Sequence, residues 1–285
     1  MIATVGICLF MAVTILFPTS SANAEKIKAF VSILPQAYCV ERIGGPHVAV
    51  EVLVGPGQSP ATYEPTPKQM ARLGQSQVYF RIGTPFERGI IDRISKIFKH
   101  IRIIDTRKGI SLRYFRLSKG ISVADPHIWL NPMYIKIQAH TICRALITLD
   151  PAHEHLFRQN LERFQNDLDA LDTTIAEILA PVRGQKFYVF HPAFGYFGDR
   201  YGLTQVAVEI EGKEPSPKQL ARLIRAAREN AVTVIFVQPQ FAKREADAIA
   251  RAIDGAVVPM DPLARNYMDN MKKMARTLHE ALVTP

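Results

Sequence analysis

The chain has 285 residues, 48% of them hydrophobic and 21% charged, with a formal net charge of +9. That length supports two domains with full cores, and the ordinary charged fraction excludes a disordered or fibrous chain. A basic surface would suit nucleic acid or an anionic membrane, yet no nucleic-acid-binding motif accompanies it.

Residues 1–24 contain no charged side chain, are apolar from Val5 to Phe17, and end Ala22-Asn23-Ala24 before Glu25. This pattern predicts a cleaved export signal, although the usual basic start is missing, and hence a periplasmic mature chain beginning near Glu25. The apolar run is shorter than the roughly 20 residues a membrane anchor needs. Removing the leader leaves Cys39 and Cys143, both in apolar helical patterns, which we read as buried free thiols.

Short apolar runs rich in Val, Ile and Phe follow at Phe30–Leu34, Val48–Val54, Val78–Ile82 and Ile101–Ile104, and again at Phe187–Phe190, Val206–Ile210, Val232–Val237 and Val257–Met260. Helical patterns separate them, which predicts parallel strands buried on both faces in βα units. A repeat ties the two sets together. Glu64 to Leu73 read EPTPKQMARL, and 150 positions later Glu214 to Leu223 read EPSPKQLARL. Thr66 and Ser216 are N-cap residues, Pro67 and Pro217 suit the first helical position, and Gln69 and Gln219 complete a capping box. The fold expected is α/β, with two four-stranded parallel-sheet lobes.

From Ala152 to Ala180 there is no Gly and a single-faced apolar stripe: Phe157, Leu161, Phe164, Leu168, Leu171, Ile175 and Ile178. The heptad-like spacing would also suit a dimeric coiled-coil seam. We read it as a backbone helix lying along both lobes of a monomer. The domains expected are a signal peptide at 1–24, a first lobe at 25–132, a helical linker at 133–182 and a second lobe at 183–285. Between the first set of strands and the linker, Arg107, Lys108, Arg113, Arg116 and Lys119 form a basic, loop-like stretch, read as a solvated face or partner contact.

In parallel α/β sheets ligands sit beyond the carboxyl ends of the strands. His191 follows the first strand of the second lobe and Asp261 its fourth, while His127 lies after the last strand of the first lobe, so the three can converge on one crevice. Two imidazoles and a carboxylate make a site for a divalent transition metal. Asp261 has a competing role as a helix N-cap, and its mirror Asp105 suggests a shared structural task. His47, His100, His140, His153, His155 and His279 are read as ordinary residues without a convergent partner.

Here the chain resembles the metal-binding substrate-binding proteins of zinc and manganese ABC transporters. The likeness rests on Gly57–Gln69 (GQSPATYEPTPKQ), Asp125–Pro132 (DPHIWLNP), Phe190–Phe197 (FHPAFGYF), Glu214–Leu220, Val237–Phe241 (VQPQF) and Asp261–Ala264 (DPLA). It implies an exported receptor that binds one ion between two lobes and passes it to a membrane permease. His127, His191 and Asp261 match three of the family's ligand positions. At the fourth, usually His, this chain has Ala61, leaving water, Glu64, Gln58 or a main-chain oxygen to complete the set. Zinc is the ion expected, with manganese or iron as alternatives, because Lys108–Ser122 lacks the His-rich loop common in zinc importers. An open coordination position keeps two other readings in view: a zinc-dependent hydrolase, although no HExxH helix or general base is evident, and a degenerate receptor or adhesin.

Overall fold

The computed structural model describes residues 25–116, 120–209, 217–229, 232–241 and 243–283. The expected signal segment, Lys119, Ile210 and the second copy's Glu214, Pro215 and Ser216 lie outside them.

The first half runs β1 (Ile27–Val31), α1 (Leu34–Gly44), β2 (Val48–Val52), α2 (Pro67–Leu73), β3 (Val78–Arg81), α3 (Glu87–Ile97) and β4 (Arg102–Asp105), followed by β5 (Tyr114–Arg116) and β6 (Ser122–Ala124). Two helices follow, α4 (Pro132–Leu149) and α5 (Glu154–Leu179). The second half runs β7 (Lys186–Val189), α6 (Gly195–Tyr201), β8 (Thr204–Ala207), α7 (Pro217–Glu229), β9 (Val234–Val237), α8 (Lys243–Ala252), β10 (Ala256–Pro259) and α9 (Tyr267–Val283).

Both large sheets are four-stranded and parallel, and their orders correspond: β2-β1-β3-β4 in one, β8-β7-β9-β10 in the other. Each chain half starts on an inner strand, moves out to one side and then returns past its start. That reversal opens a crevice at the carboxyl end of the inner strand, where ligands of open α/β sheets bind. The helix entrance seen in the repeat forms as its residues require. Gln69 N donates to the Thr66 hydroxyl at 3.3 Å, Thr66 N donates to Gln69 Oε1 at 3.0 Å, and Pro67 occupies the first turn.

α5 has 26 residues, about 39 Å at 1.5 Å per residue. Its stripe, Phe157 through Ile175, is buried against α1 and α4 of the first half and α9 of the second. That covering removes the coiled-coil alternative, because the apolar face is already occupied within one chain. Asp172, on the same helix, accepts hydrogen bonds from Arg200 Nε at 2.8 Å and Tyr201 at 3.0 Å, fastening α6 to it. One continuous apolar core runs from Phe30 and Tyr79 through Phe164 to Phe187 and Met274. Cys39 and Cys143 are both buried and free. Burial pushes the Cys39 thiol up to about 12, so it stays protonated and inert.

The basic stretch differs from its loop-like reading. Part of it is an antiparallel hairpin, with Phe115 paired to Val123. Arg107 folds back on Asp105, with Nε 2.9 Å from Oδ1, and Arg113 forms an ion pair with Asp199 of α6. Two of its cations therefore neutralise carboxylates of this chain rather than facing solvent as a free patch.

Candidate metal-binding cleft

The crevice between the lobes is a cavity of about 670 Å³. His127 and His191 lie in its wall together with Ala61, Glu209, Gln238 and Phe241. His191 comes off the carboxyl end of β7, at the point where the strand order reverses. His127 is set by the turn after β6, whose Asp125-Pro126 leads into a 3-10 turn at Ile128–Leu130. The two imidazole rings meet edge to face at 5.3 Å between centroids.

Each imidazole is held by a buried carboxylate. His127 Nδ1 is 2.7 Å from Asp125 Oδ1, and His191 Nδ1 is 2.6 Å from Glu209 Oε2. A carboxylate at Nδ1 fixes the proton there and leaves Nε2 with its lone pair, the tautomer that coordinates metal. Neither Nε2 carries a hydrogen bond among the described residues. Burial holds the His127 pKa below its usual value, against the opposing pull of Asp125. A ring kept neutral in this way is ready to ligate.

The backbone around the pair is fixed as well. Gln238, itself buried, accepts from His191 N at 3.2 Å and donates to His191 O at 2.7 Å. Phe241 stacks on the His191 ring at 5.0 Å, and Trp129 lies 5.1 Å from the His127 ring. The Trp129 indole donates to Pro262 O at 2.7 Å, and Tyr267 donates back to Trp129 O at 2.9 Å. Tyr196 of α6 donates to Asp125 O at 3.0 Å and accepts from Arg113 N at 2.8 Å. The histidine-bearing segment of the first lobe is thus clasped by the second.

The other sequence candidates are placed less simply. Asp261 stands next to the cleft wall, which includes Pro262 and Leu263, and faces a smaller depression with Asn270 and Lys273. Its Oδ1 accepts from Leu263 N at 2.9 Å and from Gln240 at 3.1 Å. It caps no helix, since α9 begins six residues later at Tyr267. Asp105 closes the same turn in the first lobe, with Arg107 N 3.0 Å from its Oδ1. Gln58 Oε1 accepts from Gly55 N at 2.8 Å, which spends it on its own turn. Glu64 is exposed and absent from the lining of the cleft. Ala61 is in the lining, beside Ser59 and Pro60.

Glu209 escaped the sequence reading. It sits inside what looks like an apolar strand run, yet it follows the carboxyl end of β8, beside the strand whose end presents His191. An acid at the end of such a run was the available signal.

The family model for the periplasmic component A of the zinc-uptake complex matches residues 30–281. The chain belongs to this family. A candidate metal-binding protein of Chlamydia trachomatis is 30% identical over 251 residues, covering 86% of this chain and 88% of the relative. The manganese ABC transporter substrate-binding lipoprotein PsaA of Streptococcus pneumoniae is 24% identical, covering 82% of this chain and 78% of that protein. The crystal structure of ZnuA superposes with a TM-score of 0.85 at 39% identity, covering 90% of this chain and 99% of that one. Members of this zinc-uptake family are extracytoplasmic, metal-binding substrate-binding proteins that work with ABC-transporter permeases, and they are not enzymes, which removes the hydrolase reading. No helix among the described residues is long and apolar enough to cross a membrane.

Proposed function

We propose that the cleft captures one zinc ion through Nε2 of His127 and Nε2 of His191, with Asp261 as the third protein ligand, and releases it to an ABC permease. The observation that carries this reading is the pair of converging imidazoles, each braced at Nδ1 by its own buried carboxylate. Imidazole nitrogen suits zinc, and intrinsic affinity ranks zinc above manganese and iron. For Asp261 to reach the ion, its carboxylate must exchange the Gln240 contact for the metal, while the turn to Leu263 holds its backbone in place. Water completes the coordination at Ala61, where methyl replaces a ligand.

The signal peptide expected at 1–24 would place the mature chain in the periplasm, acting as a monomer. Calorimetric titration of zinc into chelator-stripped protein tests the site. His191→Ala should abolish the tight binding event; a wild-type affinity in that variant would refute the ligand set. Asp261→Asn should weaken binding, and no change there would confine the ligands to the two histidines.

A further inference from the structure

A second group of metal-ligating side chains lies at the other end of the first lobe. His47 closes a 3-10 turn between α1 and β2, Asp150 ends α4, and His153 ends the short turn that precedes α5. Sequence reasoning left His47 and His153 without a convergent partner; the fold corrects this. Their rings lie 3.7 Å apart between centroids, at 31°. Asp150 Oδ2 is 2.6 Å from His153 Nδ1. One ligand atom from each of the three lies within 4.8 Å of the others, and all three side chains are half-buried.

This cluster shares no residue with the cleft. β2 begins directly after His47, and its carboxyl end leads to the loop bearing Ala61. β2 is five residues long, about 16 Å at roughly 3.3 Å per residue, so the cluster and the loop bearing Ala61 lie off opposite ends of this strand.

We propose that His47, Asp150 and His153 form a second site for a divalent zinc-class ion, independent of the transport cleft. Two imidazole nitrogens and one carboxylate oxygen are a donor set for zinc, with remaining positions left to water, and a poor one for calcium or magnesium. Bonds of about 2.0–2.1 Å bring tetrahedral ligand atoms to roughly 3.3 Å from one another, so the set closes with a side-chain shift of at most about 1.5 Å. The scaffold beneath is fixed. Phe157 packs against both rings, at 6.3 and 6.4 Å, and the Asn160 amide donates to Ile43 O at 2.9 Å. An ion here ties the α1–β2 corner to the α4–α5 turn. With side chains more exposed than those of the cleft, it should bind more weakly than the transport site.

Zinc calorimetry on chelator-stripped protein, with denaturation followed in parallel, is the test. Wild type should show two events, a tight and a weaker one. His191→Ala should lose the tight event and keep the weaker, and excess zinc should still raise its melting temperature. The double variant His47→Gln/His153→Gln should keep the tight event and lose the weaker. If His191→Ala fails to fold, the wild-type and double-variant stoichiometries decide between them, two ions against one. A single ion per chain in wild type, or a weaker event unchanged in the double variant, overturns the proposal; either result leaves the cleft reading untouched.

Discussion

Glu209 Oε2 lies 2.6 Å from Nδ1 of His191, and the contact has a counterpart in the first lobe, where Asp125 Oδ1 lies 2.7 Å from Nδ1 of His127. The two lobes meet the same chemical requirement with residues from different places. Asp125 is two positions from its histidine on a turn, whereas Glu209 reaches across from the neighbouring strand end.

Glu209→Ala should leave the fold intact and weaken zinc binding by about 10–100-fold, the usual cost of removing an outer carboxylate from a ligating histidine. Titration of stripped wild type and variant measures it. An unchanged affinity would show that packing by Phe241 and Gln238 alone orients the ring.

Ala61→His should tighten zinc binding by about tenfold, roughly 1.4 kcal/mol, since it supplies a ligand where the cleft wall has only a methyl group. The gain is limited by the ordering of the new side chain. Titrating Glu64→Gln beside it separates this from the alternative: loss of binding in Glu64→Gln alone would make Glu64 the fourth ligand.

The lobes should move little on metal binding. α5 is uninterrupted by Gly or Pro over Glu154–Leu179, and a single apolar core joins it to both sheets. Small-angle scattering with and without zinc should give the same radius of gyration, and a marked contraction would reveal a hinge.

Arg107→Ala should lower stability at neutral pH and make little difference in acid. Burial opposes the charge on Asp105, but the hydrogen bonds and charge of Arg107, with the charge of Arg81, hold its pKa below the usual value. A depressed carboxylate stabilises the fold above its unfolded pKa of about 3.9, and that contribution is lost as pH falls through the folded value. Denaturant unfolding of the metal-free proteins at pH 7 and pH 3 should therefore show a gap that closes in acid.

The two lobes were legible because the signals were local. A ten-residue repeat, a capping box at Thr66 and eight short apolar runs each need only their own neighbourhood to form, and the strands fall within a few residues of those runs. The histidines of the cleft were legible from strand-end position. Glu209 was not, because the spacing between β7 and β8 in the sheet, not in the chain, brings it to His191. His47 and His153 were hidden for the same reason: each looks solitary in sequence, and only the packing of α1 against α4 and α5 puts them face to face. The hairpin β5–β6 was missed because three-residue strands have too few alternating positions to show a period.

The bond from Trp129 to Pro262 spans 133 residues and that from Tyr267 to Trp129 spans 138. The clasp on the histidine segment cannot close until Pro262 and Tyr267, far along the chain, are in place. Contacts this distant in sequence close late and slowly. A chain without this last stretch therefore has no finished pocket, and the ability to hold metal arises only once nearly the whole receptor has folded.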